Sequence, residues 1–173
     1  MARTVGIGYQ NFEKVIENQV FYIDKTEFIR EWWENIDEVT LITRPRRFGK
    51  TLNMSMLECF FSVKYADKGK LFEQLSIYKN EEYRRLQGTY PVISLSFANV
   101  KEKNYIQAKQ RICQLITDIY NKNHFLLHSG ILTEEEQQYY RSVCMDMPEV
   151  IATISLHRMS DFLSRYYGKK VII

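Results

Sequence analysis

The sequence predicts a helix-rich α/β domain built in three layers around a mainly parallel sheet. Amphipathic helical stretches dominate its 173 residues, and the run Val39-Thr40-Leu41-Ile42-Thr43 is apolar on both faces, the pattern of a strand covered on both sides. A second apolar run, Val92-Ile93-Ser94-Leu95-Ser96-Phe97, is also followed by a long helical stretch, the alternation a parallel sheet requires.

The composition allows one sizeable core. With 45% hydrophobic and 26% charged residues, the chain lacks the polar bias of a disordered protein. Twelve Tyr, ten Phe and two Trp against seven Gly and three Pro favour long elements over a small all-β module. A net charge of +3 is too small for a surface that is basic throughout, so any anion site must be a local cluster. Cys59, Cys113 and Cys144 contain no C-x-x-C pair and read as reduced, mostly buried thiols. Glu13, Lys14 and Glu17 interrupt the first twenty residues, so no signal peptide is expected there. No later run approaches the length of a membrane span, and a cytoplasmic protein is the expectation.

One domain over 1–173 is expected, in three parts: an N-terminal helical segment over 1–38, a strand, loop and helix over 39–62, and a second strand, helices and the start of a third strand over 91–173. In chain order, Asp24 and Glu27 have the spacing of a helix cap and its reciprocal partner, and a helix runs from there to about Asn35 on Phe28, Ile29, Trp32 and Trp33. After the strand at 39–43, apolar residues Leu52, Met56, Leu57, Phe60 and Phe61 return at helical spacing from Gly49 onward. Pro91 opens the second strand without removing an interior ladder donor. A helix from about Asn104 to Lys122 carries the stripe Ile106, Ile112, Leu115, Ile116, Ile119 and Tyr120. Thr133 before Glu134, Glu135 and Glu136 starts a helix to about Cys144, since the hydroxyl caps free amides and carboxylates favour the positive end. The last helix follows Pro148, uses Ile151, Met159, Phe162, Leu163 and Tyr166, and stops at Gly168. Lys170-Val171-Ile172-Ile173 then looks like the opening half of a third strand, as in a domain cut short.

The segment Arg44-Pro45-Arg46-Arg47-Phe48-Gly49-Lys50-Thr51 carries the chemistry. A phosphate-binding loop needs backbone amides converging on an anion, a helix N-terminus behind them, a lysine and a hydroxyl. Gly49 lets the backbone approach phosphate, Lys50 reaches the β and γ oxygens, and Thr51 supplies a magnesium ligand. Arg44 stands where G-x-x-x-x-G-K-[ST] has its first glycine. Three other readings stay open: a strand-to-helix turn with solvated arginines, a nucleic-acid module gripping polynucleotide phosphate with the same basic loop, and a degenerate scaffold that binds nothing.

The Phe21-Tyr22-Ile23-Asp24-Lys25-Thr26 segment, the 44–51 loop and Pro91-Val92-Ile93-Ser94-Leu95-Ser96-Phe97 together make the chain resemble the predicted AAA-ATPase-like proteins of gut bacteria over nearly its whole length. In that family the arginine-rich loop is the usual form of the phosphate motif. The resemblance implies a P-loop NTPase-type sandwich binding ATP and Mg2+ through Arg44, Pro45, Arg46, Arg47, Phe48, Gly49, Lys50, Thr51 and Leu52, with Lys50 and Thr51 in the catalytic roles and Thr51 on the metal. It also sets Asp24, Lys25 and Thr26 near the base or ribose, where the alternative is helix capping alone. Family members continue from a strand like 170–173 into an acidic Walker B segment and carry a domain similar to PD-(D/E)xK nucleases, which makes nucleic acid a partner of the parent protein. Neither lies within these residues, so poor hydrolysis and self-association through an exposed sheet edge are expected.

Tyr22 is read either as an adenine-stacking ring or as a packed aromatic. His124 and His128, four apart, lack a nearby Cys, Asp or Glu to complete a metal site and read as surface or packing residues.

Overall fold

Helices form where the sequence supplies caps and an apolar face. A computed structural model describes residues 5–6, 8–45 and 47–173 of the chain. The helices are α1 (Phe12–Glu17), α2 (Glu27–Asn35), α3 (Lys50–Phe61), α4 (Glu81–Leu86), α5 (Tyr105–Lys122), α6 (Glu134–Ser142) and α7 (Glu149–Tyr167), with short 3-10 turns between some of them. No helix is long and apolar enough to cross a membrane. The chain divides into two units, Met1–Tyr90 and Pro91–Ile173.

In the first unit, Asn11 caps α1 by accepting from the Lys14 amide, and Asn80 caps α4 by accepting from the Glu82 amide. Neither helix is expected from apolar periodicity, because six residues span too few turns to show it. Phe12 of α1 joins a core of rings. Phe12 stacks on Phe72 at 5.1 Å, Phe60 meets Phe72 edge-on at 5.2 Å, and Trp33 stacks on Phe61 at 5.4 Å. Such pairs add about 0.5–1.5 kcal/mol each beyond the area they bury. The end of α3 is tied down by the Gly88 amide, which donates to the Phe60 carbonyl at 2.7 Å, and by Tyr90, which pairs with Ser62 in a single parallel bridge. Gly88 has φ +68°, and a Cβ there would collide with the Ala66 backbone, so this crossing requires glycine.

The second unit is a helix pack. Asn104 caps α5 through the Gln107 amide, Thr133 and Glu136 form a reciprocal capping box on α6, and left-handed Gly168 ends α7. One continuous core joins Ile116, Tyr120, Tyr140, Met159, Phe162 and Leu163. Its phenols keep partners: Tyr120 donates to the Ser155 carbonyl at 2.9 Å, and Tyr140 donates to the Tyr120 carbonyl at 2.6 Å. Burial pushes both phenol pKa values up, and these bonds keep the neutral forms satisfied. Of the expected α5 stripe, Ile106 and Ile112 face solvent, and Cys113 takes the buried position instead.

The α/β sandwich expectation is overturned, although its helix-rich part stands. No β-strand occurs among the described residues, and pairing outside helices is limited to two isolated parallel bridges, Ser62 with Tyr90 and Val92 with Ile172. Residues 39–43 make no ladder; Val39 and Leu41 are 88% and 83% exposed. The same holds for 94–97, and the 170–173 segment contributes only its bridge at Ile172. The physical reason is that β-branched side chains give a segment strand propensity, whereas strand formation needs a second row of N–H and C=O groups beside it. Without a sheet among these residues there is no sheet edge, and the exposed apolar groups belong to unpaired backbone.

The Asp24–Glu27 cap is also replaced. Thr26 occupies the N-cap position of α2 and makes no side-chain cap, while Asp24 bonds elsewhere. Cys59 and Cys113 are buried and Cys144 is exposed, all three as free thiols.

Candidate functional site

The start of α3 gathers the features that a polyanion needs. Gly49, its N-cap, has φ 74° and ψ 17°, and Arg47 has φ 68°, so the backbone visits the left-handed region twice within three residues. No side chain caps the helix. Among the described residues the Lys50, Thr51 and Leu52 amides have no partner, and they lie at the positive end of the helix dipole, which favours an anion. The Lys50 ammonium folds back and donates to the Arg44 carbonyl and, at 3.0 Å, to the Pro45 carbonyl. These bonds draw the beginning of the loop against the beginning of the helix.

Arg44, Pro45, Arg47, Phe48 and Thr51 are exposed, and Gly49, Lys50 and Leu52 are half-buried. Arg46 lies outside the described residues. The Thr51 hydroxyl makes no hydrogen bond among the described residues, and none of their carboxylates pairs with Lys25, Arg44, Arg47 or Lys50. Among the described residues this segment therefore combines cations, open amides and an unengaged hydroxyl with no paired carboxylate, a set that fits phosphate, and the hydroxyl offers one oxygen ligand to a cation carried in with it.

Lys25 joins this set from another part of the chain. A Cβ placed on Gly49 would stand 3.7 Å from the Lys25 Nζ, in ordinary contact. Its neighbours in sequence do different work. Asp24 Oδ1 accepts from the Thr26 amide at 2.8 Å and the Thr26 hydroxyl at 2.7 Å, while Oδ2 accepts from the Ser76 amide at 2.7 Å. Thr26, wholly buried, also accepts from the Ile77 amide at 3.2 Å and shares a 3.0 Å bond with the Ser76 hydroxyl. Partial burial pushes the Asp24 carboxyl up, but the hydrogen bonds from Ser76 and Thr26 outweigh it and hold the pKa below its ordinary value. Thus the structure brings Lys25 to the loop and turns the Asp24 and Thr26 side chains toward Ser76. Sequence reasoning missed Ser76 because no local signal links residues fifty apart.

Tyr22 donates to the Met56 sulfur at 3.3 Å and meets Phe12 edge-on at 5.5 Å; burial pushes its phenol up to about 12. It is a packed aromatic in this arrangement. The rings of His124 and His128 lie 5.5 Å apart, and no group of three metal-ligating side chains exists among the described residues. A cleft of about 520 Å³ is lined by Glu27, Arg30, Ser76, Lys79, Glu81 and Tyr83 among others, and contains none of the loop residues.

The model of a family described as Predicted AAA-ATPase matches residues 6–173, and the chain belongs to that family. A protein of Azotobacter chroococcum mcd 1, described as an uncharacterized protein in the vnfD 5' region, is 31% identical over 112 residues. The match covers 64% of this chain and 20% of that protein, so the aligned region spans about a fifth of the relative's length. No solved structure matches the chain.

Proposed function

We propose that this member of the predicted AAA-ATPase family holds the phosphates of Mg2+-ATP at residues 44–52. The observation that carries the reading is the uncapped start of α3, opened by left-handed Gly49, with the Lys50 ammonium folded onto the loop and no carboxylate paired with it. Open amides and an ammonium supply the two kinds of donor that non-bridging phosphate oxygens accept. Lys50 exchanges its carbonyl partners for phosphate oxygens, which are stronger acceptors because they are charged. The free Thr51 hydroxyl would hold Mg2+, and the ion would neutralise charge shared between the β and γ phosphates. On the family resemblance we further propose ATP hydrolysis, coupled to a nuclease-like domain, for a parent protein that carries the family's acidic Walker B segment and that domain.

Calorimetric titration with Mg2+-ATP tests the reading. Lys50→Ala is expected to weaken binding by about a hundredfold, the loss of an ammonium bonded to charged oxygens, with the melting temperature unchanged. Unchanged affinity in that variant would reject it. If the loop grips polynucleotide instead, DNA binding survives saturating ATP and falls steeply with salt.

A further inference from the structure

We infer that the Asp24–Thr26–Ser76 hydrogen-bond knot is a positioning device that holds the Lys25 ammonium over Gly49 as a second cation for the nucleotide's phosphates. The inference rests on the proposed phosphate site and assigns a task to residues outside the loop.

Three observations support it. First, the Lys25 ammonium lies 3.7 Å from where a Cβ on Gly49 would be, so it borders the one residue of the loop without a side chain. A Cβ at position 49 would fit beside the ammonium in ordinary contact, and it is the left-handed backbone, φ +74°, that favours glycine there. Second, no carboxylate among the described residues pairs with Lys25, although Asp24 is its neighbour in sequence. Asp24 is instead saturated by donors from Thr26 and Ser76, with both oxygens engaged. These donors leave the carboxylate charged but occupy both of its oxygens, and the Lys25 ammonium makes no contact pair with it, which leaves that ammonium available to an external anion. Third, the knot fixes the backbone on both sides of Lys25. Asp24 is bonded across fifty-two residues to Ser76, and buried Thr26 is bonded to the Ile77 amide. A lysine side chain loses considerable rotamer freedom when it binds, and anchoring its backbone removes part of that ordering cost beforehand.

The chemistry selects phosphate over base or ribose. An ammonium is a compact point charge with three donors and favours anionic oxygens over the neutral groups of a purine or sugar. Lys25 and Lys50 then address the phosphate chain from separate parts of the fold, whereas Asp24 and Ser76 touch no ligand and act through Lys25.

The test uses the 173-residue chain with two probes, Mg2+-ATP and inorganic tripolyphosphate with Mg2+, which has neither base nor ribose. Lys25→Met is expected to weaken both by the same factor, about tenfold, and Lys25→Arg to restore most of the loss. Asp24→Ala lowers the melting temperature and weakens both probes, but in a Lys25→Met background it changes neither affinity further, because the group it positions is gone. Ser76→Ala, which keeps the amide bond to Asp24, has the smallest effect. Equal losses for Asp24→Ala with and without Lys25 reduce the knot to a structural role and overturn the inference, as does a Lys25→Met loss seen with ATP and absent with tripolyphosphate. A wild-type chain that binds neither probe brings down the phosphate site itself, a result distinct from either of these.

Discussion

The two units differ in where their hydrogen bonds reach. In the second, the bonds that begin helices close within three residues, as from Thr133 to Glu136 and from Asn104 to Gln107, and the phenols of Tyr120 and Tyr140 are satisfied inside one continuous core. In the first, the bonds that hold the segment carrying Lys25 are long, Asp24 to Ser76 and Thr26 to Ile77, while Lys50 closes the loop locally on the Arg44 and Pro45 carbonyls. Both units expose large apolar side chains, Ile36, Val39, Leu41 and Phe48 in the first and Tyr105, Ile106 and Val150 in the second, so exposure does not separate them. The contrast separates a region built for packing from one whose distant contacts hold charged groups in the open.

Substitutions can break or sharpen that contrast. The largest effect is expected for Phe162→Ala in the second unit, where the ring is wholly buried and stacks on Tyr140; it costs about 3–5 kcal/mol, read from urea unfolding, while ATP affinity of the folded protein stays the same. A change in affinity would tie the second unit into the site. Thr133→Ala removes one half of the capping box on α6 and costs about 1 kcal/mol in the same measurement. Smallest is Leu41→Ser, at an 83% exposed position, which shifts stability by less than about 0.5 kcal/mol. A much larger loss there would mean that residues 39–43 are covered in solution.

The same contrast explains what could be read from the chain. Helix ends were legible where a local signal adjoins a longer apolar stripe: Thr133, Asn104 at the start of α5, Gly49 before α3 and Gly168 after α7 all lie where the sequence signals them, whereas Asn11 and Asn80 cap helices of six residues that are too short to show one. The strands were not, because the side chains of 39–43 state a preference while the ladder depends on groups elsewhere. Asp24 shows the same limit at one residue. Its spacing to Glu27 suits a cap, yet the Ser76 amide competes for the carboxylate from fifty-two positions away. At the site, Gly49, Lys50 and Thr51 follow from motif and spacing, and the approach of Lys25 to Gly49 appears only in three dimensions.

The central claim is that the amides opening α3, with Lys50 beside them, receive phosphate oxygens. Amide chemical shifts of 15N-labelled protein titrated with Mg2+-ATP report on those groups directly. Large, saturable shifts at Gly49, Lys50, Thr51 and Leu52 that need about a hundredfold more nucleotide in Lys50→Ala are the predicted result; shifts centred on the cleft at Arg30 and Lys79, or none at saturating nucleotide, would contradict it.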